Sequence, residues 1–227
     1  MRAWSGWFHV NGNTYGTWLR GDPRGWRARH HREHVEGDYK CPPPPGKYDR
    51  LRTSSQSLMR RSPIRLNAAA RRIACHVMVE SLSRRGVEVI ALCVDDHHYH
   101  ILARFPKPTE FGLVHRGGNI SSGSVIGATP EKVQGRGPSS VGLNAPTRKD
   151  GNDILAVIRH LVGVAKKESA LALSKAGHCE KGAGGIWAKR CRALSVKDRA
   201  HQLNVYQYIV EHAQRGAAVW TFRDRPQ

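Results

Sequence analysis

The first cluster of apolar positions, Trp7, Phe8 and Val10, predicts a short strand around Trp7 to Val10, and Asn11-Gly12-Asn13 after it carries the chemistry of a turn. From Gly21 to Ser62 the chain is irregular and basic. Within that stretch Cys41-Pro42-Pro43-Pro44-Pro45-Gly46 can be neither a helix interior nor a central strand, because proline lacks the amide hydrogen both need. A helical period begins at Asn67, whose side chain suits an N-cap. That helix is expected to run to about Arg85, with Ile73, Val77 and Leu82 on its buried side and Gly86 closing it.

Val87 to Val94 is an apolar, β-branched run that predicts a buried strand; Asp95-Asp96 makes a tight turn, and His98 to Phe105 returns as a second strand. Residues 106–152 turn to Gly, Ser, Pro and Thr without a period, which predicts a flexible insertion. A helix resumes at Asp153, with Ile154, Ile158, Leu161 and Ala165 in one stripe and Lys166 and Lys167 on another. Gly182 to Gly185 break the chain before Ile186-Trp187-Ala188-Lys189-Arg190, read as a strand, and a last helix spans about Asp198 to Arg215. The order strand, helix, strand, strand, helix, strand predicts an α+β fold. Its core would be a ferredoxin-like split βαβ unit: a central antiparallel sheet, helices on one face, and a further helix carrying Tyr208, all in one domain over residues 1–227. The opposite sheet face is expected to be free, the kind of surface that holds a single nucleic-acid strand.

Charge strengthens that expectation. Lys and Arg number 37 against 18 Asp and Glu, a formal net charge of +19, and the arginines are spread along the chain instead of gathered in a tail. A polyanion is the natural partner of such a surface. No apolar run approaches the roughly 20 residues that a spanning helix needs, and the opening residues lack the apolar core of a signal peptide. The expectation is therefore no membrane partner. The five cysteines form no Cys-x-x-Cys pair and no common structural-zinc spacing, which reads as reduced thiols in a cytoplasmic protein.

The chemistry concentrates at Asp96-His97-His98-Tyr99-His100. Alternate side chains of a strand share a face, so His98 and His100 can converge on one divalent ion, while Tyr99 points to the other face and packs as core. In the last helix, Tyr206, Ile209, Val210, Ala213 and Ala217 form the expected core face; His201, Tyr208 and His212 fall together on another side.

These residues resemble the single-tyrosine HUH transposases, and within them the REP-associated tyrosine transposase-like proteins of bacteria. The resemblance is carried by His98-Tyr99-His100, Thr14-Tyr15-Gly16-Thr17-Trp18-Leu19-Arg20-Gly21-Asp22, Val162 to Lys167, Trp187 to Arg190, and Tyr208-Ile209-Val210-Glu211-His212, segments scattered over most of the chain. It implies cleavage and rejoining of single-stranded or hairpin DNA through a 5′-phosphotyrosine on Tyr208, with a divalent ion, Mg2+ or Mn2+, held by His98 and His100. The residue four positions after the tyrosine is commonly Gln or Asn in that family and completes the metal site. Here it is His212, and a third nitrogen moves the preference from magnesium toward manganese or zinc. Lys166, Lys167, Lys189 and Arg190 are the candidate phosphate contacts. The family type admits both a monomer and a homodimer. Two other readings stay open: a non-catalytic protein, derived from a transposase, that binds single strands or hairpins, and a metal-dependent phosphodiester hydrolase that uses water.

Overall fold

The computed structural model describes Trp4, residues 6–23, Trp26 and residues 44–109, 154–179 and 185–224. Five strands, β1 (Trp7–Asn13), β2 (Glu88–Val94), β3 (His98–Arg104), β4 (Arg192–Ser195) and β5 (Ala218–Thr221), form one antiparallel sheet in the order β4-β1-β3-β2-β5. Among the described residues these helices accompany them: α1 (Asp49–Ser57), α2 (Ala68–Ser83), α3 (Ile154–Lys175) and α4 (Arg199–Glu211). A 3-10 turn, His212–Arg215, continues α4. The fold is α+β. Nearly all of the insertion expected over 106–152, and much of the basic segment 21–62, lie outside the described residues.

Strand parity sorts the side chains into two layers. Phe8 and Val10 of β1 and Tyr99, Ile101 and Ala103 of β3 face α2 and α3, whose Ala74, Met78, Leu82, Ile158, Leu161 and Ala165 complete the main core. A bulge at Val89–Ala91 shifts β2 by one residue, so that Val89, Leu92 and Val94 all reach this core while Ala91 and Cys93 face away. Glu168 of α3 accepts from both Arg84 (2.9 Å) and Arg85 (2.6 Å), fixing α2 beside α3. Asn67 caps α2 as expected, its Oδ1 accepting from the Ala70 amide at 2.9 Å.

The second sheet face is not free. α4 crosses it, and Val205 and Ile209 pack on Ala91, Cys93 and Leu102 in a much smaller apolar cluster. Small residues at 91 and 93 let the helix approach closely. The buried side of α4 is Gln202, Val205 and Ile209, with His212 next; Tyr206 and Val210, expected in the core, are only partly buried, and Ala213 is exposed. On α2, likewise, Ile73 and Val77 are half-buried and the fully packed positions are Ala74, Cys75, Met78, Val79 and Leu82.

Three further expectations are corrected. The irregular segment 21–62 contains α1, a helix with no buried residue. Ile186–Arg190 is not a strand: Trp187 makes one isolated bridge to Thr14, and the edge strand comes later, at Arg192–Ser195. Asn11-Gly12-Asn13 is no turn but the second half of β1, paired with His100, Tyr99 and His98. Gly12 is needed there because the Tyr99 ring fills the place of its side chain; a methyl at Gly12 would come within 2.6 Å of the Tyr99 hydroxyl oxygen and 2.8 Å of Cζ. Tyr99 itself is fully buried, as its parity requires, and stands edge-on to Trp187 with ring centroids 5.3 Å apart. Gly12→Ala is therefore expected to lose about 1–3 kcal/mol, since neither the ring nor the backbone can yield cheaply. Urea denaturation checks this, and an unchanged midpoint would refute the packing argument.

Candidate metal and tyrosine site

The turn between β2 and β3 is held from several sides before any histidine is placed. The Thr14 amide donates to the His97 carbonyl (2.9 Å), the Leu66 amide to the Asp96 carbonyl (2.7 Å), and the Arg65 guanidinium pairs with the Asp96 carboxylate. From this anchored turn β3 departs with His98 and His100 on the α4 face. α4, seated by Val205 and Ile209, brings His212 down onto the same spot from the opposite side.

His98, His100 and His212 each offer a ring nitrogen, and these three atoms lie within 4.8 Å of one another. His98 Nε2 is 3.2 Å from His212 Nε2. Two imidazole nitrogens bound to one ion at about 2.1 Å, at angles of roughly 90–109°, stand about 3.0–3.4 Å apart, so the pair already has the spacing of two ligands. The His212 Nδ1 hydrogen is committed to the Tyr208 carbonyl at 2.8 Å, which leaves the lone pair on Nε2, toward His98. The residues fit a divalent cation with nitrogen preference.

Burial keeps the His98 and His100 rings neutral. Desolvation is the main cause at each site: His98 is pushed down to about 4, with His97 and His212 adding to the shift against Asp95, and His100 to about 2, with His9, His98 and His212 adding. Neutral rings are the form a metal requires. The same burial predicts acid sensitivity. Below the ordinary histidine value of 6.5 the unfolded chain takes up protons that the folded chain refuses, so stability is full above about pH 6.5 and falls as the pH drops toward 4. Each such ring contributes up to about 1.4 kcal/mol per pH unit in that window. Urea midpoints of the metal-free protein at pH 7.5 and 5.0 test this; equal midpoints would contradict it.

Tyr208 sits one residue before the buried Ile209, at the margin of the packed face of α4, and is 42% exposed. Its ring meets His212 (4.7 Å between centroids) and His100 (5.1 Å), both nearly edge-on. The structure thus joins four of the expected site residues, Tyr208, His98, His100 and His212, although they come from two regions over a hundred positions apart. His201 does not join them; its Nδ1 accepts from the Lys197 amide.

The four basic candidates are not brought to this spot as a group. Lys166 is a correction: it is 8% exposed, and its ammonium donates to the Ala188 and Lys189 carbonyls, pinning that segment to α3. Lys167 is exposed on α3, across the sheet from the histidines, and Lys189 and Arg190 are exposed ahead of β4. Two residues bordering the site went unmarked in the sequence. His9 of β1 bonds His100 and is pushed down to about 4, by burial first and then by the nearby His201 and Arg192 of β4, which lies opposite Asn11. The strand expected around Trp7 to Val10 contains His9, but only the β1–β3 register places it. Among the described residues no helix is long and apolar enough to cross a membrane. No family model, no curated protein and no solved structure matches this chain.

Proposed function

We propose that the chain is a metal-dependent nickase and transposase of single-stranded or hairpin DNA, with Tyr208 as nucleophile. The observation that carries this reading is the approach of an accessible tyrosine to three histidines of ligand spacing. The interleaved order β4-β1-β3-β2 supports a ferredoxin-like core, extended by β5. The excess of Lys and Arg supports a nucleic-acid partner, and the described cysteines, all free, suit a cytoplasmic protein.

In this reading the Tyr208 oxygen attacks the scissile phosphorus and gives up its proton, the bond from phosphorus to the 3′ oxygen breaks, and that oxygen gains a proton. The products are a 5′-phosphotyrosine and a free 3′-hydroxyl. The ester bond energy is kept, so the reverse step rejoins DNA without a further cofactor. His98, His100 and His212 would hold a divalent ion, which would supply positive charge to the phosphate. Three neutral ligands leave its double charge undiminished, and three nitrogens favour Mn2+ over Mg2+. Arg192 and the exposed Lys189 and Arg190 are available for flanking phosphates.

The test is a pool of single-stranded hairpins with randomised flanks, labelled at either end, incubated with Mn2+ or Mg2+ and run on a denaturing gel. The proposal requires the 3′-labelled fragment to migrate with the protein. Cleavage without that adduct identifies the water-using hydrolase, and retention without cleavage the binding protein.

A further inference from the structure

His9 is a ring beside the site with no part in the proposed chemistry. It lies in β1, flanked by Leu102 of β3 and Leu194 of β4, on the sheet face that α4 covers. Its Nε2 is 2.9 Å from His100 Nδ1, the two rings are tilted by only 30°, and its centroid is 6.3 Å from that of Tyr208. We infer that His9 is a positioning residue: by accepting the Nδ1 hydrogen of His100 it fixes the His100 tautomer, aims Nε2 at the ion, and backs the Tyr208 ring. This inference rests on the metal reading of the site.

The argument is one of hydrogen count. Each neutral imidazole carries one N–H and one lone pair, so exactly one hydrogen can occupy the His9–His100 contact. If it came from His9, His100 would carry its own hydrogen on Nε2 and could not ligate through that atom, while its Nδ1 would be blocked by His9. If it comes from His100, its Nε2 carries the lone pair and is free to ligate, and His9 holds its hydrogen on Nδ1. Only the second arrangement lets His100 join His98 and His212. A histidine ligand commonly has its second nitrogen fixed by a carboxylate or carbonyl, and such partners are worth roughly 10–100-fold in metal affinity. A neutral imidazole in that place orients the ligand without adding negative charge beside the phosphate to be attacked.

Two measurements on the full chain test the role. Nitrogen-15 NMR of the metal-free protein should find His100 protonated at Nδ1 and His9 at Nδ1. Titration with Mn2+, read by loss of the free-ion electron resonance signal, should show His9→Phe and His9→Ala weakened about 10–100-fold. His9→Gln, which offers an amide oxygen in the same place, should recover most of the loss. Thermal melts separate these effects from misfolding, and His9→Phe retains the ring packing. His100 protonated at Nε2, or a His9→Phe variant that binds Mn2+ as the native chain does, overturns the inference. A native chain with the expected tautomers but no affinity for Mn2+ overturns the metal reading instead, and the role of His9 as a ligand-positioning residue with it.

Discussion

Tyr208→Phe is expected to reduce covalent protein–DNA adduct by at least about a thousandfold, leaving nothing visible on a denaturing gel, while metal affinity and DNA retention stay within a factor of two of the native chain. The reason is local. Phenylalanine keeps the edge-on contacts with His100 and His212 and, on an exposed margin of α4, removes only the oxygen that would attack. Stability should therefore change by less than about 0.5 kcal/mol. Tyr206→Phe is the matched control, since Tyr206 is half-buried beside Phe222 (6.3 Å between centroids) and should form adduct normally. Adduct persisting in Tyr208→Phe would dismiss the assignment; adduct lost equally in both variants would point to damage of the helix.

The second large effect concerns the ligands. His98→Ala, His100→Ala and His212→Ala are each expected to weaken Mn2+ binding by at least about a hundredfold and to abolish adduct at low metal concentration. They should differ in stability. His212 is 1% exposed and its Nδ1 satisfies the Tyr208 carbonyl near the end of α4, so its loss should cost about 1–3 kcal/mol more than that of the half-buried His98. His212→Gln is the informative substitution. An amide oxygen is a harder donor than imidazole, so this variant should keep its metal dependence and move the preference from Mn2+ toward Mg2+. Titrations with both ions check it, and an unaltered preference would mean that His212 is not a ligand.

The sequence made the centre of the fold readable where each residue depends on its neighbours in the chain. The β2–β3 hairpin and the Asn67 cap of α2 are local features, and both occur as read. Where partners come from elsewhere, local pattern misled. Asn11-Gly12-Asn13 has the composition of a turn, but the glycine answers to Tyr99 on the neighbouring strand. Lys166 looks like a solvent residue, yet two carbonyls after Trp187 draw it inward. The phase of α4 was misjudged because two of its buried positions, Gln202 and His212, are polar, so its hydrophobic pattern pointed to the wrong side. His212 is buried for the site and not for the core.

The bond from His212 to the Tyr208 carbonyl ties the third proposed ligand to the turn that carries the proposed nucleophile. Tyr208 and His212 therefore travel as one piece. Should two copies of the chain exchange α4, each tyrosine would arrive at its neighbour's strand histidines bringing its own imidazole, and every ion would be gripped by two polypeptides at once. Mixing a Tyr208→Phe chain with a His98→Ala chain would then build one centre with every group in place and one lacking both the strand ligand and the hydroxyl, so two inactive proteins would together recover activity. In a self-contained protomer no such rescue can occur.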